Sequence, residues 1–180
     1  MRVKDMLQRS MPELITVKNR RVNVRPILVY MANDHQRCDA LFAHVEACIE
    51  RREWTQADLS LLSFSEALAS HLTREETVLF PAFEQATGSH VGPTGMLRLE
   101  HKYIRAIVSR VIEAVGRRDA NDFFGHASIL RIMLQQHNVK EETILYVMID
   151  RILAEQREQI ITGMEAVNSA EALNVFNLDE

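Results

Sequence analysis

The chain has 180 residues, 47% hydrophobic and 26% charged, which suits one globular domain with a sizeable core. Its six Gly and four Pro are too few for a β-sandwich or barrel, and a net charge of −4 gives no strong attraction to nucleic acid. The first fifteen residues lack the apolar core of a signal peptide, and no window approaches the roughly 18 apolar residues of a membrane span, so we expect neither a membrane nor a nucleic-acid partner.

Apolar residues recur at helical spacing along most of the chain. Pro26 suits the first position of a helix because its missing N–H costs nothing there, and Asp119 is a good N-cap. Four long helices with short links predict an all-α, antiparallel up-down-up-down four-helix bundle over residues 26–156. In chain order we expect an irregular N-terminal arm at 1–25, helices at 26–52, 55–86, 96–115 and 119–156, a loop at 87–95, and a C-terminal tail at 157–180 with room for one short helix.

Metal-ligand residue types recur in the two halves at a fixed offset. The first half has His35 and, 36 residues later, His71 with Glu75 four residues beyond it. The second half has the same residue types 66 residues further on, at His101, His137 and Glu141. This pattern predicts an internal two-fold repeat of a helical hairpin.

The candidate ligands all fall on the apolar stripes of their helices. The stripe of His137, for example, includes Leu134 and Ile144. Glu141 joins this stripe because positions i and i+4 are neighbours on a helix, and the same holds for Glu75 in the first half. We therefore expect all six side chains to point into the bundle core.

Buried carboxylates are costly unless they are paired or coordinated, and two of them repel each other. A pair of dications removes both problems, and imidazole with carboxylate suits iron, zinc, copper or manganese. A single His on an apolar stripe is usually a packed core residue, and a single His-x-x-x-Glu is often a surface pair, but the repeated register favours a dinuclear metal site. The predicted metal ligands are His35, His71, Glu75, His101, His137 and Glu141.

The remaining histidines and acidic neighbours are expected outside this site. Glu76 and Glu142 lie about 140° further round their helices than the histidines, so a solvated or rim position is expected, with Glu142 as a fallback ligand. His44, His90 and His126 have no counterpart at the 66-residue offset and are interpreted as surface or loop residues.

Cys38 and Cys48 lie ten residues apart in one predicted helix, about 15 Å along its axis, which is too far for a disulfide. Free thiols fit a reducing cytoplasm, so a cytoplasmic location is expected. Cys38 is one turn from His35, where thiol chemistry is conceivable, but packing is the preferred interpretation.

With these motifs the chain resembles the hemerythrin-like family, also called the HHE cation-binding domain. The resemblance covers about residues 26–156 and implies a four-helix bundle around a non-haem di-iron centre with an oxo or hydroxo bridge, other divalent metals being alternatives. The residues that carry it are Asp34-His35, His71-x-x-x-Glu75-Glu76 followed by Leu79-Phe80-Pro81, Glu100-His101, and His137-x-x-x-Glu141-Glu142.

The resemblance also implies a division of the ligands between two irons. In that division His35 and His71 serve one iron, His101 and His137 serve the other, and the two glutamates bridge them. Pairings across the repeat remain an open alternative.

The sequence departs from the oxygen-carrying hemerythrins in one respect. Those proteins have a further His one turn after the third-helix histidine and end on His-x-x-x-x-Asp, whereas this chain has Arg105 and Glu141 there. A missing ligand leaves an open coordination position, which we expect near Arg105. The chain looks more like the branch associated with nitric oxide, peroxide or iron–sulfur repair, although its arm has no cysteine motif of the repair proteins.

The leading functional hypothesis is therefore a di-iron protein that binds or reacts with oxygen, nitric oxide or peroxide in sensing or stress response. One alternative is a redox-dependent regulatory module that binds a protein partner through its tail, at Leu173, Val175, Phe176 and Leu178. Another is an iron donor or store for metal-centre repair. The sequence assigns no catalytic residue and does not decide whether the protein is an enzyme.

Overall fold

The computed structural model describes residues 25–167, and all regular structure in that range is helical, which confirms the all-α prediction. The predictions for the arm before residue 25 and for the apolar tail residues lie outside the described range. No helix between residues 25 and 167 is long and apolar enough to cross a membrane. The helices are α1 Ile27–Glu50, α2 Trp54–Arg74, α3 Phe80–Thr87, α4 Pro93–Gly116, α5 Ala120–Lys140, α6 Tyr146–Ile152 and α7 Arg157–Glu165.

Two of the helix junctions are π-helical turns without a loop. Glu75–Leu79 joins α2 to α3, and Glu141–Leu145 joins α5 to α6. The predicted second and fourth helices are therefore continuous rods that each contain one wider turn. The fourth rod ends at Ile152, earlier than the expected residue 156, and the short helix predicted for the tail is α7.

The long helices pack closely on one another. Helix α1 contacts α2, and α4 contacts α5, in each case across a short connection. Further contacts join α2 to α4 and α1 to α5, while α7 lies against the first π-helical turn. These contacts bring together the helices on which the sequence placed the candidate ligands.

The buried side chains form two apolar clusters with a polar layer between them. Along α1, Met31 belongs to one cluster and Cys38 to the other, with buried His35 between them. Along α4, Leu97 and Ile104 flank His101 in the same way. The histidines therefore lie in a layer that separates the two apolar cores.

The π-helical turns change which residues face the core. Ile144 was expected on the stripe of His137, but it is 53% exposed, so that prediction is wrong. Tyr146, nine residues after His137, is fully buried, although a regular helix would carry it about half a turn away from that stripe. An i→i+5 turn holds one more residue than an α turn, so every residue after it is shifted by one position around the helix.

The first turn of α1 is capped by a residue that is distant in sequence. Pro26 provides no side-chain cap. Instead the N–H groups of Ile27 and Leu28 donate to the two carboxylate oxygens of Asp150, each at 3.0 Å. Arg157 contacts the same carboxylate with its Nε 2.7 Å from Oδ1. Asp150 thus ties the start of α1 to α6 and α7.

We expect Asp150→Ala to lower the free energy of unfolding by about 1 kcal/mol, because two N–H groups of α1 lose their acceptor. Asp150→Asn retains one acceptor oxygen and should lose less. Urea unfolding of the metal-free protein measures both changes. Equal midpoints for the wild type and Asp150→Ala would contradict a capping role.

Candidate metal centre

The four predicted histidines form two pairs in the polar layer. His35 of α1 and His71 of α2 have their Nε2 atoms 3.1 Å apart. His101 of α4 and His137 of α5 have theirs 3.2 Å apart. None of the four rings is more than 4% exposed. The structure therefore pairs each histidine with the one 36 residues away in its own half.

Two buried glutamates connect these pairs. Glu141 places Oε2 3.2 Å from His35 Nε2 and Oε1 3.1 Å from His137 Nε2, so one carboxylate reaches both pairs. Glu75 reaches both with a single oxygen, because its Oε2 lies 3.5 Å from His71 Nε2 and 3.3 Å from His101 Nε2. Both glutamates are fully buried. All six sequence-predicted ligands are thus brought together.

The donor atoms fit metal ions in three respects. Two ligands held about 2.1 Å from one ion at roughly right angles lie about 3 Å apart, close to the separations within each histidine pair. Glu75 Oε2 and Glu141 Oε1 are buried, and no side chain or backbone group in the described residues gives them a hydrogen bond. Nitrogen and oxygen donors without thiolate also suit iron, zinc, copper or manganese.

Without metal, protons hold the same atoms together. Burial disfavours a charge on His101, but the adjacent carboxylates of Glu75 and Glu76 outweigh it and raise its pKa to about 9. Burial likewise disfavours a charged Glu141, yet the neighbouring His137 and a hydrogen bond from His35 hold its pKa well below its ordinary value. Imidazolium groups therefore compensate the buried carboxylates, and a bound cation would displace their protons.

Each histidine also contacts an outer carboxylate through Nδ1. Such a contact fixes the ring orientation and directs Nε2 towards the centre. Asp34 and Glu100, which precede His35 and His101, contact the other histidine of their own half. Glu76 and Glu142, which follow the two buried glutamates, each contact a histidine of the other half. The four Nδ1 contacts are His71–Asp34 at 3.2 Å, His137–Glu100 at 3.0 Å, His35–Glu142 at 2.7 Å and His101–Glu76 at 2.7 Å.

Glu76 is half-buried, with a 24% exposed side chain, so it has a rim position and is not fully solvated. Besides contacting His101, it receives hydrogen bonds from Arg105 to both of its oxygens, each at 2.9 Å. Burial raises the pKa of Glu76, but His101 and Arg105 together lower it to about 2. Glu76 lies in the π-helical turn that follows α2, and its side chain reaches His101 of α4. Glu142 is 39% exposed and contacts the outer nitrogen of His35.

Cations hold three of the four outer carboxylates. Arg105 binds Glu76, Arg74 binds Asp34 at 2.9 Å, and Lys140 binds Glu100. Arg74 and Lys140 are 66 residues apart and play the same part in the two halves. The position that corresponds to Arg105 is Asp39, so Glu142 has no such cation from α1.

Tyr146 is a buried residue of the centre that sequence reasoning missed. Its hydroxyl lies 2.6 Å from Glu75 Oε1 and 3.0 Å from Glu141 Oε2, so it donates a hydrogen bond to these carboxylates. Burial and both carboxylates raise its pKa well above the ordinary value, which keeps the phenol protonated. One signal was available, because Phe80 precedes it by 66 residues and stacks on His101 at 5.6 Å.

The other candidate residues lie outside the centre. Both cysteines are buried in α1, and neither is in a disulfide. Burial raises the pKa of Cys38 to about 12, so it is a neutral packing thiol. His90 is 79% exposed, and neither His44 nor His126 contacts a predicted ligand.

The sequence model of the family described as the hemerythrin HHE cation binding domain matches residues 27–149. The chain belongs to this family. The match spans every residue of the centre from Asp34 to Tyr146. Comparisons with curated proteins and with solved structures gave no match. The family and the buried His and Glu groups together indicate a protein that binds metal cations.

We expect Tyr146→Phe to destabilise the metal-free protein by about 1.5–3 kcal/mol, because buried charged oxygens lose a donor while the ring packing is kept. Tyr103→Phe is the matched control, since Tyr103 is 57% exposed. Urea unfolding followed by circular dichroism measures both. A Tyr146→Phe variant as stable as Tyr103→Phe would contradict the assigned hydrogen bonds.

Proposed function

We propose that this hemerythrin-family protein is a non-haem di-iron protein that binds or reacts with oxygen, nitric oxide or peroxide. The observation that supports this best is the pair of histidine pairs joined by two buried carboxylates. In the proposed centre His35 and His71 hold one iron, His101 and His137 hold the other, and Glu75 and Glu141 bridge them, with an oxo or hydroxo group completing the bridge. The proposed frame is an up-down-up-down bundle made of two related hairpins.

Iron is favoured over the other metals by the number and kind of donors. Two imidazoles and shared carboxylates leave each ion with fewer than six protein ligands, an arrangement typical of iron sites that bind oxygen-type ligands. An iron pair supplies up to two electrons to a bound small molecule.

The protein's own groups supply orientation and a proton. The outer carboxylates hold each imidazole ring through Nδ1, so Nε2 needs no rearrangement to bind an ion. Tyr146 holds a proton on its hydroxyl between the two proposed bridging carboxylates. The apolar clusters on either side of the polar layer exclude bulk water and larger substrates.

Arg105 takes part as a positioning residue. Its guanidinium is committed to both oxygens of Glu76, which in turn holds His101 Nδ1, and its side chain is 12% exposed. This arrangement supports an orienting role for Arg105 more than a role beside an open coordination position. We therefore place the open position on the opposite side of the centre, beside His35.

We expect protein expressed with adequate iron to contain about two irons per chain, coupled to each other in the Mössbauer spectrum. His35→Ala and His101→Ala should each lower the iron content, while His44→Ala, an exposed His on the same helix as His35, should retain it. Elemental analysis measures the content. A fully loaded preparation with one uncoupled iron per chain would overturn the proposal.

Glu75→Ala and Glu141→Ala should each remove most of the bound iron and lower the melting temperature, because a bridging ligand is lost and metal binding contributes to folding. Glu76→Ala should keep both irons but bind them about 10–100-fold more weakly, as expected for a carboxylate that orients a ligand. Glu113→Ala serves as the exposed control. Equal losses at Glu75 and Glu76 would contradict the division between bridging and orienting carboxylates.

A further inference from the structure

A small cavity touches both histidine pairs. It lies between α1, α2 and α5 and is lined by Cys38, Leu68 and Leu72, together with the rings of His35, His71 and His137. It offers about 10 Å³ to a water-sized molecule, which is the room that one water needs. Its size admits a diatomic molecule or, with slight adjustment, a peroxide.

A solvent groove of about 520 Å³ approaches this cavity from between α1 and α5. The groove and the cavity share the side chains of His35, Asp39, Leu134 and Asn138 as a common wall. These side chains therefore form the partition between solvent and the interior of the centre. Asp39 is exposed in the groove and Asn138 is half-buried, so the partition is thin and polar at this point.

The other half of the chain has larger side chains at the corresponding positions. Ile104 stands where α1 has Cys38, and it is fully buried. Arg105 stands where α1 has Asp39, and its ion pair with Glu76 covers the outer side of His101. Cys38 and Asp39 are shorter than these residues and leave space beside His35.

The groove is also acidic at its inner end. Asp39 and Glu142 both line it, and Glu142 contacts His35 Nδ1. Arg131 also lines the groove and forms an ion pair with Glu46. The groove therefore holds three carboxylates, those of Asp39, Glu46 and Glu142, against the single guanidinium of Arg131, and this excess of negative charge repels anions and leaves neutral molecules unaffected.

From the proposed function we infer an entrance to the centre. We propose that neutral molecules of diatomic or peroxide size enter between α1 and α5, past Asp39 and Asn138, and that the carboxylates there hold back small anions. The entrance stands on the His35 side, and the His101 side is closed by Ile104 and the Arg105–Glu76 pair.

The metal-free protein tests the path directly, through the accessibility of Cys38 to methyl methanethiosulfonate followed by mass spectrometry. Cys48, which is fully buried nearer the C-terminal end of α1, is the internal reference. Asp39→Arg should pair with Glu142 as Arg105 pairs with Glu76, and so slow the labelling of Cys38 several-fold relative to Cys48. The new cation would by itself lower the thiol pKa and speed labelling, so slower labelling reports closure. Unchanged or faster Cys38 labelling in this variant overturns the path.

The iron-loaded protein tests the charge selection by stopped-flow binding of azide and of nitric oxide. Asp39→Asn should speed azide association about tenfold and leave nitric oxide nearly unchanged, because the negative charge at the entrance is reduced without a change of shape. Asp39→Arg should slow nitric oxide. Glu50→Gln, an exposed acidic residue three turns further along α1, should change neither. Equal azide rates in Asp39→Asn and the wild type, or an unchanged nitric oxide rate in Asp39→Arg, overturn the proposal.

The two proposals fail in different ways. If the protein binds no iron pair but Cys38 is labelled as expected, the proposed function is contradicted and the proposed entrance stands. If the protein contains a coupled iron pair but substitutions of Asp39 change neither the Cys38 labelling rate nor the azide association rate, the proposed function stands and the proposed entrance is contradicted.

Discussion

Two carboxylates buried in one layer between two apolar cores impose the main constraint on this fold. Glu75 and Glu141 are fully buried, and unpaired charges in such a place would cost several kcal/mol each. Four imidazoles, one phenol and the proposed metal ions compensate them. The outer carboxylates in turn keep the imidazoles oriented. The positions of the helices in this layer follow from the need to keep every one of these polar atoms paired.

The two π-helical turns follow from this need. Each begins at a buried glutamate that must face its histidine, and each is followed by an aromatic residue that must also be buried, Phe80 or Tyr146. A regular helix cannot turn both the glutamate and the aromatic residue inwards, because the spacing carries the second away from the stripe. An extra residue in the turn restores it, and such turns are rare and are frequently found at functional sites.

The sequence predicted what depends on local spacing and missed what depends on long-range partners. The all-α class, the long helices and the six candidate ligands followed from helical periodicity and from the 66-residue offset. The outward position of Ile144 and the inward position of Tyr146 did not, since nothing local marks a π-helical turn. Nor did the contact of Glu76 with His101, or the capping of α1 by Asp150, because each joins residues that are distant in sequence.

Three positions at which the two halves differ concern one side of the centre. Cys38 and Asp39 replace the bulk of Ile104 and Arg105 beside His35. Tyr146 replaces Phe80, and its hydroxyl lies 3.4 Å from Nε2 of the same His35. Residues that recur at the 66-residue offset provide the donors for metal, and those that differ give the His35 side both the proposed entrance and the buried proton. A small molecule that arrives past Asp39 therefore reaches the ring of His35, and the hydroxyl lies beside that ring, although Tyr146 itself does not line the cavity.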